Sequence, residues 1–252
     1  MKKPFRIIIE KLSEEPYASV ICYPKATMNE LSNRLKELQK LDIIALEFKG
    51  EKEVFNLPVL GKGCVGIVLT AYRNREKVAL KIRRVDADRS GMQQEAKMLR
   101  KANSVDVGPK FLDVSNNFLL MQFINGILFP EWLEKHGGKS LVKKVLHEIL
   151  EQCWRLDKSG LDHGELSHAP KHIVIDANNM PIIVDFETAS VKRKPSNVTS
   201  ICQFLFISGS VAKRIAETLN VKDMNAIIEV LRRYKNDRTR ENFESILKVC
   251  YF

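Results

Sequence analysis

The sequence predicts an α+β fold, with antiparallel strands in the first half of the chain and helices through most of the second half. Apolar runs at residues 67–72 and 77–82 flank an Arg-Asn-Arg-Glu turn, which is typical of a β-hairpin. Shorter β-branched runs at 173–175 and 182–184 flank an Asp-Ala-Asn-Asn-Met-Pro turn and predict a second hairpin. Helical spacing of apolar residues is found in five later segments, 141–156, 198–206, 211–219, 224–234 and 241–249.

Length and composition indicate an ordinary globular protein. The 252 residues suffice for one large domain or two small ones, and 44% are hydrophobic and 29% charged. No apolar run reaches the roughly 18 residues that a membrane helix needs, and the start lacks the apolar core of a signal peptide. We therefore expect a cytoplasmic protein without a membrane partner. The net charge of +10 favours polyanionic partners such as nucleic acid, nucleotide phosphates or acidic protein surfaces.

The five cysteines are scattered and never form a C-x-x-C pair. This arrangement favours buried free thiols over a zinc site or a disulfide framework.

Residues 1–52 are predicted to form a small N-terminal α/β appendage. Short strands are expected at 7–9 and 18–22, around a Ser-Glu-Glu-Pro turn. Thr27 and Glu30 have the spacing of a helix capping box, and leucines follow at helical intervals before a strand at 43–48. Because the segment contains no catalytic constellation, we expect a docking or scaffolding role.

A glycine-rich string follows, with Gly61, Gly63, Gly66 and Val68 in G-x-G-x-x-G-x-V spacing. Dinucleotide-binding motifs share this spacing, but they open a helix, whereas two strands follow here. The string therefore predicts a glycine-rich hairpin, whose backbone N–H groups can close over phosphates.

Lys81 lies within the apolar second strand of that hairpin, in Val78-Ala79-Leu80-Lys81-Ile82. An unpaired ammonium would be costly to bury there, so we expect an anionic partner. Glu95 is the candidate, on a helix that Ser90 could cap. The alternative is a lysine at the sheet edge and a solvated Glu95.

An apolar strand at 118–123 ends shortly before Gly126. This pattern is typical of a hinge between two lobes. The backbone of residues 122–124 would then face an adenine. Further along, the hairpin at 173–184 and the loop before it bring Glu165, His172 and Asp185 close together, which suggests a base and a metal site.

From Gly61 to about Phe206 the chain resembles small atypical protein kinases. It is similar to the RIO kinases, to the kinase of the KEOPS complex, and most closely to predicted archaeal serine/threonine kinases related to both. The residues that carry the resemblance are Gly61, Gly63, Gly66, Lys81, Glu95, the string His163-Gly164-Glu165-Leu166, and Asp185-Phe186.

The resemblance implies a two-lobed, protein-kinase-like fold, with an antiparallel N-lobe sheet at 53–123, a helical C-lobe at 124–252, and ATP with Mg²⁺ (or Mn²⁺) in the cleft. Lys81 would hold the α and β phosphates, with Glu95 orienting it. Glu165 would accept the hydroxyl proton, and Asp185 would bind the metal. The other implied nucleotide contacts are Gly61, Gly63, Gly66, Val68, Gln122 and Phe123.

Three residues depart from the kinase pattern. Glu165 replaces an aspartate, which moves its carboxylate one methylene further out, and a misplacement of about 1 Å can cost roughly 100-fold in rate. His172 or Lys171 stands where an asparagine would bind the second metal, in a loop about two residues longer. Glu187 replaces a glycine and brings negative charge toward the metal site. Together these three departures should impair turnover more than nucleotide binding.

Three functions therefore stay open: an atypical serine/threonine kinase acting on an unidentified protein, a pseudokinase that scaffolds a protein or RNA complex, and a small-molecule kinase. A basic cluster near the C-terminus is either a solvated helix end and loop or a contact to RNA or a ribonucleoprotein. Its residues are Arg232, Arg233, Lys235, Arg238 and Arg240.

Overall fold

The computed structural model describes residues 3–88, 91–220 and 223–250. Contacts between Cα atoms divide the chain into two compact units. Unit 1 comprises Met1–Lys97 and Lys110–Phe123, and unit 2 comprises Met98–Pro109 and Ile124–Phe252. The expected α+β fold, with an antiparallel sheet in the N-terminal region and helices in the C-terminal region, is confirmed.

Unit 1 is built on one antiparallel sheet. Its strands lie in the order β1-β2-β6-β7-β9-β8, with β5 also pairing with β6. A separate two-stranded ribbon, β3–β4, precedes the glycine-rich string. The strands are β1 (Phe5–Ile8), β2 (Ile43–Phe48), β3 (Lys52–Val54), β4 (Leu57–Val59), β5 (Gly61–Lys62), β6 (Gly66–Arg73), β7 (Glu76–Arg83), β8 (Phe111–Val114) and β9 (Phe118–Gln122).

The predicted glycine-rich hairpin is confirmed as β6 and β7. Strand β6 pairs with β7 from Gly66↔Arg83 to Arg73↔Glu76. Both residues of the connecting turn, Asn74 and Arg75, have positive φ, which is the backbone geometry that two-residue hairpin turns require.

The N-terminal segment contributes β1, β2, α1 (Tyr17–Ile21) and α2 (Met28–Lys40). The expected strand at 18–22 is wrong, because this run forms α1. Short apolar runs do not distinguish a buried helix from a strand, and the backbone bonds here run from Ala18 to Glu14 and from Cys22 to Ala18, four residues apart. Of the expected capping box at α2, the Thr27 cap is confirmed, since Glu30 N–H donates to the Thr27 hydroxyl. The Glu30 carboxylate instead accepts from Arg34 Nε.

The strands of this segment extend the main sheet, because β2 pairs with β6. Its apolar side chains also share a core with β6 and β7: Leu12, Leu38, Leu46, Leu69 and Leu80 are all fully buried in it. The boundaries at residues 52 and 123 stay predictions about domains.

Arg34, on α2, is fully buried inside unit 1. Its guanidinium donates to the carbonyls of Ile21 and Arg83, both at 2.6 Å, and to Asn117 Oδ1 at 3.2 Å. Glu30, on the same helix, accepts from Arg34 Nε at 2.6 Å. The buried charge is therefore paired and makes four hydrogen bonds, and the bond to the Arg83 carbonyl joins α2 to the main sheet.

Unit 2 is mostly helical and carries one small antiparallel sheet in the order β10-β11-β12. The second predicted hairpin is confirmed as β11–β12. No described helix is long and apolar enough to cross a membrane. The elements of unit 2 are β10 (Gly126–Leu128), α4 (Phe129–Lys135), α5 (Lys139–Ser159), β11 (Ile173–Asp176), β12 (Pro181–Ile183), α6 (Asn197–Cys202), α7 (Gly209–Leu219), α8 (Met224–Asn236) and α9 (Arg240–Val249).

Two helices need comment, the one expected at 198–206 and the one that carries Glu95. The helix expected at 198–206 is α6 followed by one π-helical turn, Gln203–Ile207. The helix that carries Glu95 is α3 (Gln93–Asn103), which contains residues of both units. Its proposed cap, Ser90, lies outside the described residues.

Candidate functional site

The glycine-rich string lies next to Lys81 in unit 1. Gly61 pairs with Val68 across β5–β6, and Gly63 N–H donates to the Gly66 carbonyl at 2.8 Å. A Cβ atom at Gly66 would lie 2.9 Å from the Ile82 carbonyl oxygen and 3.2 Å from Cε of Lys81. A larger residue at Gly66 would therefore push against the lysine side chain.

Lys81 and Glu95 form a buried ion pair. Lys81 Nζ donates to Glu95 Oε1 at 2.8 Å, and each residue is 4% exposed. The pair that the sequence suggested is thus present, and the alternative of a solvated Glu95 is wrong. Desolvating an ammonium or a carboxylate is costly, and this cost is already met in the folded chain. The Lys81 ammonium is therefore held in a fixed position, where a second anion could also interact with it.

The strand end at 122–123 is held by neighbouring groups of unit 1. Gln122 exchanges backbone and side-chain bonds with Lys110. The Phe123 ring lies 4.7 Å from Lys49 Nζ and 4.8 Å from Lys77 Nζ, as cation–π contacts. The expected contact of residues 122 and 123 with adenine stays a prediction.

In unit 2, Glu165, His172 and Asp185 form one cluster. A donor atom from each lies within 4.8 Å of the other two. His172 Nε2 is 2.9 Å from Glu165 Oε2 and 3.9 Å from Asp185 Oδ2. The hairpin creates this arrangement, because Val184 N–H donates to the His172 carbonyl and thereby sets Asp185 beside the histidine.

The histidine of this cluster is buried and the carboxylates are not. His172 is 1% exposed, whereas the side chains of Glu165 and Asp185 are 39% and 33% exposed. Despite the short distance to Glu165, the geometry is not that of a hydrogen bond, and neither ring nitrogen has a hydrogen-bond partner in the described part of the chain. Burial lowers the pKa of His172, against the opposing effect of the two carboxylates, so the ring favours its neutral form. Two carboxylates and a neutral imidazole are a donor set that fits a divalent cation.

Asp185 has an unusual backbone conformation, with φ of +70°. A non-glycine residue in this left-handed region carries strain that surrounding structure must offset, and such strain is frequent at functional sites. The expected effect of Glu187, negative charge brought toward the metal site, stays a prediction.

A polar network that sequence reasoning missed holds the loop before Glu165. The Asn197 side chain accepts from His163 N–H at 2.8 Å and donates to the Leu161 carbonyl and to Asp157 Oδ1, both at 2.7 Å. Asp157 also accepts from the Tyr234 hydroxyl at 3.0 Å. All these groups are buried, so the network fixes the loop through bonds that water cannot replace.

His163 packs inside this network instead of facing solvent. Its Nε2 lies 3.1 Å from the Val184 carbonyl, and its ring contacts Phe186 with centroids 5.1 Å apart. Burial lowers the pKa of His163 to about 4, so the ring is neutral and donates to that carbonyl. The histidine therefore connects the loop to the strand end that carries Asp185.

The segment after Glu187 is anchored to the same loop. Arg193 donates to Asp162 Oδ2 at 2.8 Å and to the Thr188 carbonyl at 2.6 Å. Asp162 also exchanges backbone bonds with Ser190. No local motif indicates that Arg193 pairs with Asp162 or that Asn197 bonds to His163, since these partners lie 31 and 34 residues away in sequence.

The basic cluster near the C-terminus is largely occupied by contacts within the chain. Arg233 pairs with Glu229 on α8, and Arg240 pairs with Glu151 and Glu244. Arg238 donates to the Pro195 carbonyl. These contacts are those of a solvated helix end and loop. An RNA contact through the cluster stays a prediction.

Comparison with known proteins places these residues in a family context. The RIO domain family matches residues 68–201, just over half of the chain. An uncharacterised protein of Methanocaldococcus jannaschii is 32% identical over 117 residues, which are 46% of this chain and 98% of that protein. The matched family range begins after the three glycines and contains Lys81, Glu95, Glu165, His172 and Asp185.

Proposed function

The chain belongs to the RIO family of atypical kinases, and from this membership we propose that it transfers the γ-phosphoryl group of ATP to a serine or threonine hydroxyl of a protein. The observation that carries the proposal is the buried ion pair between Lys81 and Glu95. A lysine inside an apolar strand, held by a helix carboxylate, has a clear use where a triphosphate must be neutralised and positioned.

Lys81 would bind the α and β phosphates of ATP. Glu95 already orients the ammonium, and the Lys81 side chain packs closely against Gly66. Lys81 therefore loses little side-chain freedom when it binds phosphate oxygens. Glu95 would stay in place as the orienting group. Phosphoryl transfer needs mainly positioning and charge stabilisation, and this pair supplies both for the nucleotide.

Glu165 would accept the proton of the substrate hydroxyl. Its side chain is partly exposed, so an incoming hydroxyl can reach it, and the loop that carries it is fixed through His163 and Asn197. Asp185, with His172, would hold Mg²⁺ or Mn²⁺, which when bound neutralises charge on the β and γ phosphates. Asp185 lies at the end of a hairpin in a constrained backbone conformation, which keeps its carboxylate at a defined position.

The test is incubation of the purified chain with γ-labelled ATP and Mg²⁺ or Mn²⁺. We expect autophosphorylation or slow ATP hydrolysis that is lost in Asp185→Asn and Lys81→Ala. Lys97→Ala is the matched control, because Lys97 is an exposed lysine of α3, and this variant should keep the activity. Activity that persists in Asp185→Asn would refute the proposal.

The contact between Glu165 and His172 favours a second candidate function. A carboxylate held 2.9 Å from a buried imidazole is less available as a base, which suits a pseudokinase that binds nucleotide as a scaffold for a protein or RNA complex. This function predicts that ATP at about 100 times its Kd stabilises the fold by roughly 2.7 kcal/mol without turnover. Restoring the kinase pattern with Glu165→Asp and Glu187→Gly separates the two: turnover that appears favours a latent enzyme, and continued binding without turnover favours the scaffold.

A further inference from the structure

The cluster of Glu165, His172 and Asp185 has an unusual composition for a magnesium site. Mg²⁺ prefers oxygen ligands in near-octahedral geometry and keeps several waters. Here the most buried member is an imidazole, with one of its nitrogens between two carboxylates. Nitrogen donors favour first-row transition metals, and the affinity rises from Mn²⁺ through Fe²⁺, Co²⁺ and Ni²⁺ to Cu²⁺.

The second observation is that His172 Nε2 makes no hydrogen bond to the described residues. A buried imidazole ordinarily finds a hydrogen-bond partner for its nitrogens, because leaving a buried polar group unsatisfied is costly. Nε2 of His172 lacks one in the described part of the chain, although it lies within 4 Å of a carboxylate oxygen from each neighbour. A cation bound at Nε2 would satisfy that nitrogen, and a carboxylate oxygen from each neighbour lies close enough to contact the same cation.

From this geometry we infer that the cluster is a transition-metal site, with His172 as a direct ligand, and that it selects Mn²⁺ and heavier divalent ions over Mg²⁺. The inference rests on the proposed function in one respect, namely that this cluster binds a cation, and it names the class of that cation. It does not require phosphoryl transfer to occur.

The carboxylates are suited to complete such a site. Each can supply one oxygen and retain the other, so Glu165 can contribute to the cation and still accept a proton. Their partial exposure leaves room for water or phosphate oxygens at the remaining positions. His172 is the deeply buried anchor, so the metal preference should depend mainly on this residue.

The experiment measures metal binding to the full chain without nucleotide. Isothermal titration with Mn²⁺ and with Mg²⁺ should give a Kd for Mn²⁺ that is lower by about tenfold or more. Pulsed electron paramagnetic resonance of the Mn²⁺-loaded chain should show coupling to a directly bound ¹⁴N nucleus. This spectrum tests His172 in the unmutated protein, so it does not depend on the folding of a variant.

His172→Asn introduces the amide that the kinase pattern has at this position. We expect it to remove the ¹⁴N coupling and to weaken Mn²⁺ binding by about 100-fold, at the upper end of the 10–100-fold cost of altering groups that merely support metal ligands. Mg²⁺ binding should change little. His147→Asn is the matched control, because the His147 side chain on α5 is 44% exposed, and this variant should keep both signals.

Equal affinities for the two ions, or Mn²⁺ bound without ¹⁴N coupling, would overturn the inference. Failure of the proposed function gives a different result, because a chain that binds Mn²⁺ through His172 but never turns over ATP retains the metal site and loses only the kinase activity.

Discussion

Asn197→Ala is the sharpest test of the polar network that holds the loop before Glu165. The substitution removes an amide that makes three buried hydrogen bonds, to His163, Leu161 and Asp157. Asp157 keeps its other donors, among them the Asn197 backbone N–H at 2.8 Å and Tyr234. The His163 N–H and the Leu161 carbonyl lose the partner that Asn197 supplied.

The cost follows from these two buried groups. Leaving a buried polar group unsatisfied costs about 1–3 kcal/mol, so two such groups at about 2 kcal/mol each lower the free energy of unfolding by about 4 kcal/mol. In a chain of this size each kcal/mol lowers the Tm by about 2–4 °C, so the Tm should fall by about 8–16 °C.

Urea unfolding followed by tryptophan fluorescence measures this loss directly, because both tryptophans, Trp132 and Trp154, belong to unit 2 with the network. Asn236→Ala, at an exposed position near the end of α8, is the control and should stay within about 0.5 kcal/mol of the unmutated protein. A loss below about 1 kcal/mol for Asn197→Ala would refute the reasoning, since the network would then not restrain the loop.

Three further predictions concern the remaining parts of the site. Lys81→Ala leaves a buried carboxylate without its cation and should cost about 3–5 kcal/mol in urea unfolding, whereas Lys97→Ala should be nearly neutral. The thiol of Cys64, which is exposed in the glycine-rich string, should react fastest with a thiol reagent, and ATP should slow that reaction. Gly108→Ala should destabilise the protein by about 1–3 kcal/mol, because Gly108 has φ of +85° and a new Cβ would lie 2.8 Å from the Phe186 ring. Gly137→Ala should not destabilise it, because nothing lies within 4 Å of a Cβ there.

The thiol prediction has an internal control. The other four cysteines are buried, and burial raises the pKa of Cys22 to about 11 and that of Cys250 to about 12. These thiols stay protonated near neutral pH and should react only after unfolding. Rapid reaction of more than one thiol in the folded protein, or the same rate for Cys64 with and without ATP, would contradict the assignment.

Much of the fold and part of the site could be predicted, because the signals are local. The hairpin of β6 and β7 follows from alternating apolar runs and a two-residue turn, and the pairing of Lys81 with Glu95 follows from the cost of burying an ammonium. The proximity of Glu165, His172 and Asp185 follows from the second hairpin.

The remaining features depend on contacts between distant segments. Asn197 bonds to His163 across 34 positions of sequence, and nothing near either residue indicates the pairing. The run at 18–22 was assigned to the wrong structure because its apolar residues suit a strand as well as a short buried helix. Arg34 lies on the buried face of α2 with Leu31 and Leu38, but helical spacing cannot identify what a residue there contacts. Three of its partners, Ile21, Arg83 and Asn117, come from distant parts of the chain.

The buried position of Arg34 limits how the chain can be shortened. A version that starts near residue 53 would lose α2 and with it the guanidinium that the carbonyl of Arg83 and the amide of Asn117 now contact. It would also expose the part of β6 that β2 covers, and an uncovered strand edge invites pairing with other chains. Such a truncated kinase region would tend to aggregate, so loss of its activity would report failed folding and not a regulatory role of the N-terminal segment.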